Sequence, residues 1–356
     1  MNLLNKTIQQ IAPQDLDSRA AARARLEQLT MPHWALGRLM DMAEQLAGMT
    51  RSVRPAVSRK AVVIMAGDHG VAASGVSQYP QEVTVQMVHN FANKGAGCNA
   101  LAALAGAQVV VVDAGVAGDL ASLVQQGKII SKRIAPGTGN IHTGPAMTRE
   151  QAVASIEAGI EVANSLSESI DLFATGEMGI ANTTPSSAIV AVLTGLPVEE
   201  ITGRGTGLND AALEHKIAVV KEALRVNQPD PADFLDVLAK VGGFEIGAIA
   251  GLILGAAALK KPVIIDGFIT TAGALIAQGL APDSAQYMIA SHQSVEPGHS
   301  AALKQLGKEP LLSLNLRLGE GTGAVLAMNL VESSVRILTE VATFEEAMVS
   351  GANPDK

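Results

Sequence analysis

Five short apolar runs in the middle of this 356-residue chain constrain its fold more than any other feature. Each run is rich in β-branched residues, ends in glycine or a polar residue, and precedes a helix-compatible stretch. The runs span residues 61–67, 108–115, 171–176, 262–267 and 287–292. Apolar runs separated by helical spacers, not hairpin turns, indicate strands buried on both faces of a parallel sheet. We therefore expect an α/β fold, doubly wound around a mainly parallel, Rossmann-like sheet.

The two ends of the chain carry helical patterns instead. Apolar residues recur with helical spacing up to about residue 50, and again on one face after Gly323. We expect residues 1–55 plus 331–356 to form a small helical subdomain, and residues 56–330 to form the α/β catalytic domain. The longest apolar stretch, 246–259, contains three glycines and is shorter than the ~20 residues that a bilayer requires, so it predicts a buried helix.

Charge and cysteine content exclude several functions. The formal net charge is −8 and no basic stripe is present, which argues against nucleic-acid and anionic-membrane partners. Cys98 is the single cysteine, so neither a disulfide framework nor a thiolate zinc cluster is expected. The polar N-terminal segment does not resemble a secretory signal. These features predict a cytoplasmic protein.

The loop GDHGV after the first run contains adjacent Asp68 and His69. In open α/β sheets, ligands bind beyond the carboxyl ends of the strands, so this loop is a candidate site. A metal interpretation would combine these residues with His292 and His299, since imidazole and carboxylate are ordinary ligands for zinc or iron. No HxH or HxxxH spacing supports that interpretation. A structural or substrate-contacting role is favoured, and no metal is expected.

The segment GEMGIANTTPSS after the third run predicts the start of a helix. Thr184 before Pro185 fits an N-cap followed by proline at the first helical position. Free N–H groups and hydroxyls there would bind an anion such as phosphate, although this motif alone favours a capped helix without a ligand. Glu177 would repel an anion unless its side chain points elsewhere. Lys216, after the glycine-rich GRGTG, is either a phosphate-binding cation or a solvated helix lysine.

The loop RLGEGTG, residues 317–323, places Glu320 between two glycines. Next to leucines, this carboxylate would be partly desolvated, which raises its pKa and makes it a better proton acceptor near neutral pH. The glycines would let a flat substrate approach the backbone. From the residues alone, the loop is either a catalytic or ligand-binding site or a structural turn with a solvated glutamate.

Several long motifs in a fixed order carry a family resemblance. GDHGV, GEMGIANTTP, KVGGFEIGAIAG, a strand leading into DGF, SH followed by Ser-x-Glu, and RLGEGTGA resemble the nicotinate-nucleotide:dimethylbenzimidazole phosphoribosyltransferase family, from about residue 60 to 330. The resemblance implies transfer of the 5-phosphoribosyl group from nicotinate mononucleotide to a benzimidazole, giving α-ribazole 5'-phosphate and nicotinate, in cobalamin nucleotide-loop assembly. It also implies a homodimer without a metal or other cofactor.

Matching motif positions imply residue roles. Glu320 matches the family's general base, and Glu177 matches an active-site glutamate to which we assign positioning. The remaining matches are Gly179, Lys216 and Ser294 at the ribose phosphate, Leu318, Tyr79 and Met87 at the base pocket, and Gly205 and Asp266 near the site.

The base pocket departs from the pattern of some family members. Tyr79 and Met87 stand where those members have serine and glutamine. The preferred acceptor base is therefore open among dimethylbenzimidazole, adenine and phenolic compounds. Two other functions stay as alternatives: a nucleotide-dependent oxidoreductase, although the GxGxxG dinucleotide fingerprint is missing, and a non-catalytic binder of a nucleotide or base.

Overall fold

The computed structural model describes residues 2–205 and 207–351. Within these ranges, eight strands form two sheets. They are β1 (Lys60–Gly67), β2 (Ala107–Gly115), β3 (Ile130–Ser131), β4 (Leu172–Met178), β5 (Val263–Ile265), β6 (Met288–Ala290), β7 (His292–Ser294) and β8 (Leu312–Leu316). The main sheet has the order β3-β2-β1-β4-β5-β6 with every pair parallel, and β7 pairs with β8 in a second, parallel sheet. The five predicted runs coincide with β1, β2, β4, β5 and β6.

Fifteen α-helices surround these strands in the described part of the chain. They are α1 (Leu3–Gln10), α2 (Leu16–Leu26), α3 (Arg38–Thr50), α4 (Val83–Ala92), α5 (Gly97–Ala105), α6 (Ala121–Gln125), α7 (Arg149–Leu166), α8 (Thr183–Thr194), α9 (Val198–Ile201), α10 (Asp210–Asn227), α11 (Phe234–Val241), α12 (Phe244–Ala258), α13 (Phe268–Leu280), α14 (Pro297–Leu306) and α15 (Thr322–Glu340). None of them has both the length and the apolar character that crossing a bilayer would require.

The main sheet is buried on both faces. Along β1, Val63 and Met65 face a core shared with α7, α12 and α13, while Val62 and Ile64 face a second core shared with α3, α5 and α15. Because successive strand residues point to opposite faces, a strand covered on both sides has to be apolar throughout. The prediction of a doubly wound α/β fold is confirmed.

Glycines allow α7 and α12 to cross at very short range. A Cβ atom on Gly159 would lie 1.9 Å from the carbonyl oxygen of Ala248, and one on Gly251 would lie 1.9 Å from that of Ile156. The segment predicted to be a buried helix is α12, and its residues 244–257 are all buried. Its glycines therefore serve backbone-to-backbone packing against α7.

We expect Gly251→Ala to destabilise the protein by about 3 kcal/mol, because the added methyl group has to separate two helices. Urea denaturation followed by circular dichroism measures the loss. Gly144→Ala is the matched control, since a Cβ atom there meets no atom within 4 Å. We expect the control to stay within about 0.5 kcal/mol of the wild type. Equal midpoints for the two variants would contradict this account of the crossing.

The helices at the two ends of the chain share a separate apolar cluster. Leu26 of α2, Met40 and Ala47 of α3, and Leu338 near the end of α15 belong to it. The backbone N–H of Thr30 also donates to a carbonyl after α15, at 3.0 Å. The division into a helical subdomain and an α/β catalytic domain stays a prediction.

Candidate active site

One cavity of about 400 Å³ lies beyond the carboxyl ends of β4 and β5. The order of the strands reverses between β1 and β4. Ligands of doubly wound sheets bind near such switch points. Glu177 comes from the end of β4, Asp266 directly follows β5, and Glu320 comes from the loop before α15. All the residues predicted for the site line this cavity: Glu320, Glu177, Gly179, Lys216, Ser294, Gly205, Leu318, Tyr79, Met87 and Asp266.

The backbone of the RLGEG loop is left-handed at three successive residues. The φ angles are +81° at Gly319, +62° at Glu320 and +94° at Gly321. A left-handed conformation costs a non-glycine residue about 1–3 kcal/mol and persists where surrounding bonds impose it. The N–H of Glu320 donates to Glu177 at 3.1 Å, and the N–H of Gly321 donates to Asp266 at 3.2 Å. Two buried carboxylates therefore fix the loop.

The Glu320 side chain is buried against the first turn of α5. Its Oε2 accepts a hydrogen bond from the backbone N–H of Cys98 at 3.1 Å, one of the N–H groups that a helix leaves free at its start. Among the described residues none donates to Oε1. Burial raises the pKa of Glu320, and the Cys98 N–H opposes that rise by favouring the ionised form. The result is a carboxylate with one oxygen anchored and one open to the cavity.

The other two carboxylates at this loop have both oxygens occupied. Glu177 also accepts from the side-chain amide of Asn182 at 2.5 Å, and Asp266 also accepts from the N–H of Ala324 at 2.9 Å, in the first turn of α15. Burial raises the pKa of each to about 7. Their bonds go to backbone and to a neighbouring side chain, which is the geometry of groups that hold the loop. Glu320 is the one of the three with an oxygen available for a ligand.

A buried lysine lies in the wall of the same cavity. Nζ of Lys216 donates to Thr183 Oγ1 at 2.8 Å and to the carbonyl oxygen of Gly203 at 3.2 Å. A Cβ atom on Gly205 would lie 3.4 Å from that Nζ, so Gly205 packs directly on the ammonium group. Burial lowers the pKa of Lys216 to about 8. We call these four residues the Lys216 cluster.

The predicted start of α8 is wrong by two residues. Asn182 is the N-cap and the helix begins at Thr183, so Thr184 is helical and Pro185 is the third helical residue. Proline is tolerated there because the first N–H groups of a helix have no intrahelical acceptor. The Asn182 side chain makes no cap bond to α8 and donates to Glu177 instead.

The histidines that the metal interpretation combined make other bonds. Nε2 of His69 lies 2.7 Å from Glu245 Oε1, and both side chains are buried. His299 accepts from the backbone N–H of Ser294 at 2.9 Å, while His292 lines the cavity. Within residues 2–205 and 207–351, no group of three His, Cys, Asp or Glu side chains has a metal-binding arrangement.

Apolar side chains line the cavity at the residues predicted for the base pocket. Leu318 is 60% exposed and Tyr79 is 52% exposed, so both present side-chain surface where the cavity opens to solvent. Met87 of α4 is half-buried in the same wall. A Cβ atom on Gly97 would lie 3.0 Å from Leu318, so glycine at the start of α5 leaves room for that leucine. This surface is suited to covering one face of a flat ring.

Comparison with known proteins decides the family. A family model described as phosphoribosyltransferase matches residues 11–349. The chain belongs to this family. Two relatives carry the name nicotinate-nucleotide–dimethylbenzimidazole phosphoribosyltransferase. The one from Syntrophotalea carbinolica is 64% identical, with 98% of this chain and 99% of the relative covered. The one from Desulfotalea psychrophila is 59% identical, with both chains fully covered.

A solved structure agrees with this assignment to the phosphoribosyltransferase family. The crystal structure of CobT from Thermus thermophilus matches with a TM-score of 0.90 and 46% identity, covering 94% of this chain and all of that one. The resemblance drawn from the motifs is therefore confirmed, and the chain is a phosphoribosyltransferase. The roles of its individual site residues stay predictions.

The phosphoribosyltransferase cavity includes residues to which the motifs assigned no role. Four of them are Arg317, Glu296, Thr183 and Phe268. Arg317 opens the RLGEG motif, and Glu296 is the glutamate of the Ser-x-Glu motif, so both lie in segments that had been singled out. Nothing in their local pattern indicates a cavity-facing side chain, because that depends on how distant segments meet.

Proposed function

We propose that this phosphoribosyltransferase moves the 5-phosphoribosyl group of nicotinate mononucleotide to 5,6-dimethylbenzimidazole or a related base. The products are α-ribazole 5'-phosphate and nicotinate, and the reaction belongs to cobalamin nucleotide-loop assembly. The observation that carries the proposal is a single cavity lined both by the open oxygen of Glu320 and by the Lys216 ammonium. An acceptor with an N–H proton and a donor with a phosphate need those two groups. The names of the relatives support the same substrates.

The leaving group explains why one catalytic carboxylate suffices. Nicotinate is joined to the ribose through its ring nitrogen and carries a pyridinium charge. When the bond from that nitrogen to the sugar carbon breaks, its electron pair returns to the nitrogen, which leaves without a proton. Glycosidases usually need a second carboxyl group to protonate a leaving alkoxide. No general acid is required here.

The attacking base is where proton transfer is needed. One ring nitrogen of the benzimidazole forms the new bond to the sugar carbon, and the other nitrogen loses its proton to Oε1 of Glu320. A positioned carboxylate also stabilises positive charge that develops on the sugar in the transition state. The left-handed backbone and the Cys98 N–H hold this carboxylate in place before the substrates arrive.

The Lys216 cluster is proposed to bind the 5-phosphate. The ammonium group supplies a cation and the Thr183 hydroxyl supplies a donor at the start of α8, and Gly205 packs against the ammonium group. Gly179 and Ser294 line the same cavity and would add donors. The positive end of the helix dipole favours the phosphate anion there.

The apolar wall is proposed to bind the acceptor. Leu318, Tyr79 and Met87 offer a flat and adaptable surface without a fixed hydrogen-bond pattern. Shape would then select the base, with Glu320 as its polar contact.

We infer a homodimer as well, which the mass in solution would test against the 36.6 kDa of one chain. A cytoplasmic location stays a prediction.

The proposed function predicts that nicotinate is released from nicotinate mononucleotide only when an acceptor base is present. Chromatography of reactions with dimethylbenzimidazole, adenine, a phenol or no base measures this release. We expect the highest rate with a benzimidazole. Equal release without any base would indicate a hydrolase. No release with any base would contradict the proposal and favour a binding protein, and a nicotinamide absorbance change would favour an oxidoreductase.

A further inference from the structure

A second buried charge, Glu296, lies next to the Lys216 cluster and has no part in the proposed chemistry. Glu296 directly precedes α14. Its side chain is buried and lines the same cavity. Gly203 separates it from Lys216. The Gly203 carbonyl accepts from Lys216, and a Cβ atom on Gly203 would lie 2.0 Å from Oε2 of Glu296. Glycine at this position therefore allows a carboxylate and an ammonium group to flank one peptide unit.

Lys216 has neutral hydrogen-bond partners within the described residues. The Thr183 hydroxyl and the Gly203 carbonyl satisfy two of its three donors without supplying charge. A buried ammonium group loses its hydration and tends to give up its proton unless a negative charge is near. Burial lowers the pKa of Lys216 to about 8, and the Glu296 carboxylate opposes this fall. Without the carboxylate, more of the lysine would be neutral at physiological pH.

The bonding of Glu296 fits a counter-ion better than a substrate ligand. Its Oε2 is shut off from solvent and has no hydrogen-bond partner among the described residues. Burial raises the pKa of Glu296, whereas the charge of Lys216, the N–H of Gly205 and the charge of Arg317 oppose that rise. Within the described part of the chain, the charges that act on Glu296 are those of Lys216 and the exposed Arg317, and both favour its ionised form.

We propose that Glu296 is a positioning residue that acts through Lys216, as the fixed counter-ion that keeps the ammonium group charged for binding the donor phosphate. The proposal rests on the proposed function for the identity of the donor. Before the donor binds, the carboxylate balances the lysine. Once a phosphate dianion is bound, that anion itself keeps the lysine charged. We therefore expect Glu296 to affect the binding of the donor to the free enzyme, and to have little effect on turnover once the donor is bound.

The test is the pH profile of kcat/KM for nicotinate mononucleotide, which reports groups that titrate in the free enzyme. For the wild type we expect a fall as pH rises through about 8, the pKa of Lys216. For Glu296→Gln we expect this fall to begin at lower pH, so that kcat/KM is roughly fivefold below wild type at pH 8 and within about twofold at pH 6. We expect kcat at saturating donor to stay within about twofold.

Matched variants separate this role from a structural one. Glu200→Gln removes an equal charge from an exposed residue of α9 and should leave the profile unchanged. Glu296→Asp keeps the charge and should restore most of the wild-type profile. If Glu296→Gln lowered kcat/KM by the same factor at pH 6 and at pH 8, the proposal would be overturned. So would a wild-type profile without a falling limb between pH 7 and 9, whether or not the variants fold.

The two proposals fail in different ways. If the wild type releases no nicotinate with any base, the proposed function is wrong. If it releases nicotinate normally but the falling limb does not move in Glu296→Gln, the function stands and the counter-ion role is wrong. The Cys98 thiol does not confuse the profile, because burial raises its pKa to about 12, outside this window.

Discussion

Glu320→Gln should lower kcat by about 10²–10⁴-fold, because general-base catalysis contributes a factor of that size. Glutamine keeps the shape of the side chain and an oxygen to accept the Cys98 N–H, so the loop should keep its conformation. What it loses is an acceptor basic enough to take the proton of the attacking ring. Steady-state nicotinate release with both substrates saturating measures the effect.

Glu309→Gln is the surface control for this experiment. Its side chain is 85% exposed, so the same change of charge there should leave kcat unchanged. Glu177→Gln is the competing variant, since burial raises the pKa of Glu177 to about 7, a value suited to a base. Both carboxylate oxygens of Glu177 already accept hydrogen bonds. We therefore expect Glu177→Gln to lower kcat by a smaller factor than Glu320→Gln does. The reverse order would make Glu177 the base.

Lys216→Met should raise KM for nicotinate mononucleotide by about 10- to 100-fold. Methionine fills nearly the same buried volume but removes the charge, and a hydrogen bond to a charged group contributes about 1.5–3 kcal/mol. KM for the acceptor base should change little, because the base is expected against Leu318 and Glu320. Initial rates with each substrate varied in turn measure the two effects separately.

A lysine on the same helix provides the control. Lys221 of α10 is exposed and pairs with Glu199, so Lys221→Met should leave both KM values unchanged. If Lys216→Met raised KM for the two substrates by the same factor, the role of the lysine would be to support the cavity as a whole. If it left KM for nicotinate mononucleotide unchanged, the phosphate would have to bind elsewhere.

Local sequence pattern predicted the main sheet well, because burial on both faces makes a strand continuously apolar. The same signal did not identify β3, β7 and β8, of which β7 is the polar segment His292–Ser294. The pairing of Ile130–Ser131 involves two residues, and the middle of Leu312–Leu316 is exposed. None of these strands has to be apolar throughout. The cap at Thr184 was misplaced because a proline is tolerated at several positions in the first turn of a helix.

The site was predictable as a set of loops but not as a set of bonds. The glycines around Glu320 predicted close approach of a flat substrate to the backbone, but not the three successive left-handed residues that the structure has there. The partners that impose this backbone, Glu177 and Asp266, lie 143 and 55 residues away from their bonding partners in the loop. No local pattern predicts such contacts. The same holds for Glu296, whose importance depends on the position of Lys216 in α10.

The most direct measurement of the central claim follows both products of one reaction. The wild-type enzyme would be incubated with nicotinate mononucleotide and dimethylbenzimidazole, and the products would be separated by chromatography and identified by mass spectrometry. The account predicts one α-ribazole 5'-phosphate for each nicotinate released. Release of nicotinate with ribose 5-phosphate in place of the ribazole would contradict it, because the cavity would then direct water, not a base, to the sugar carbon.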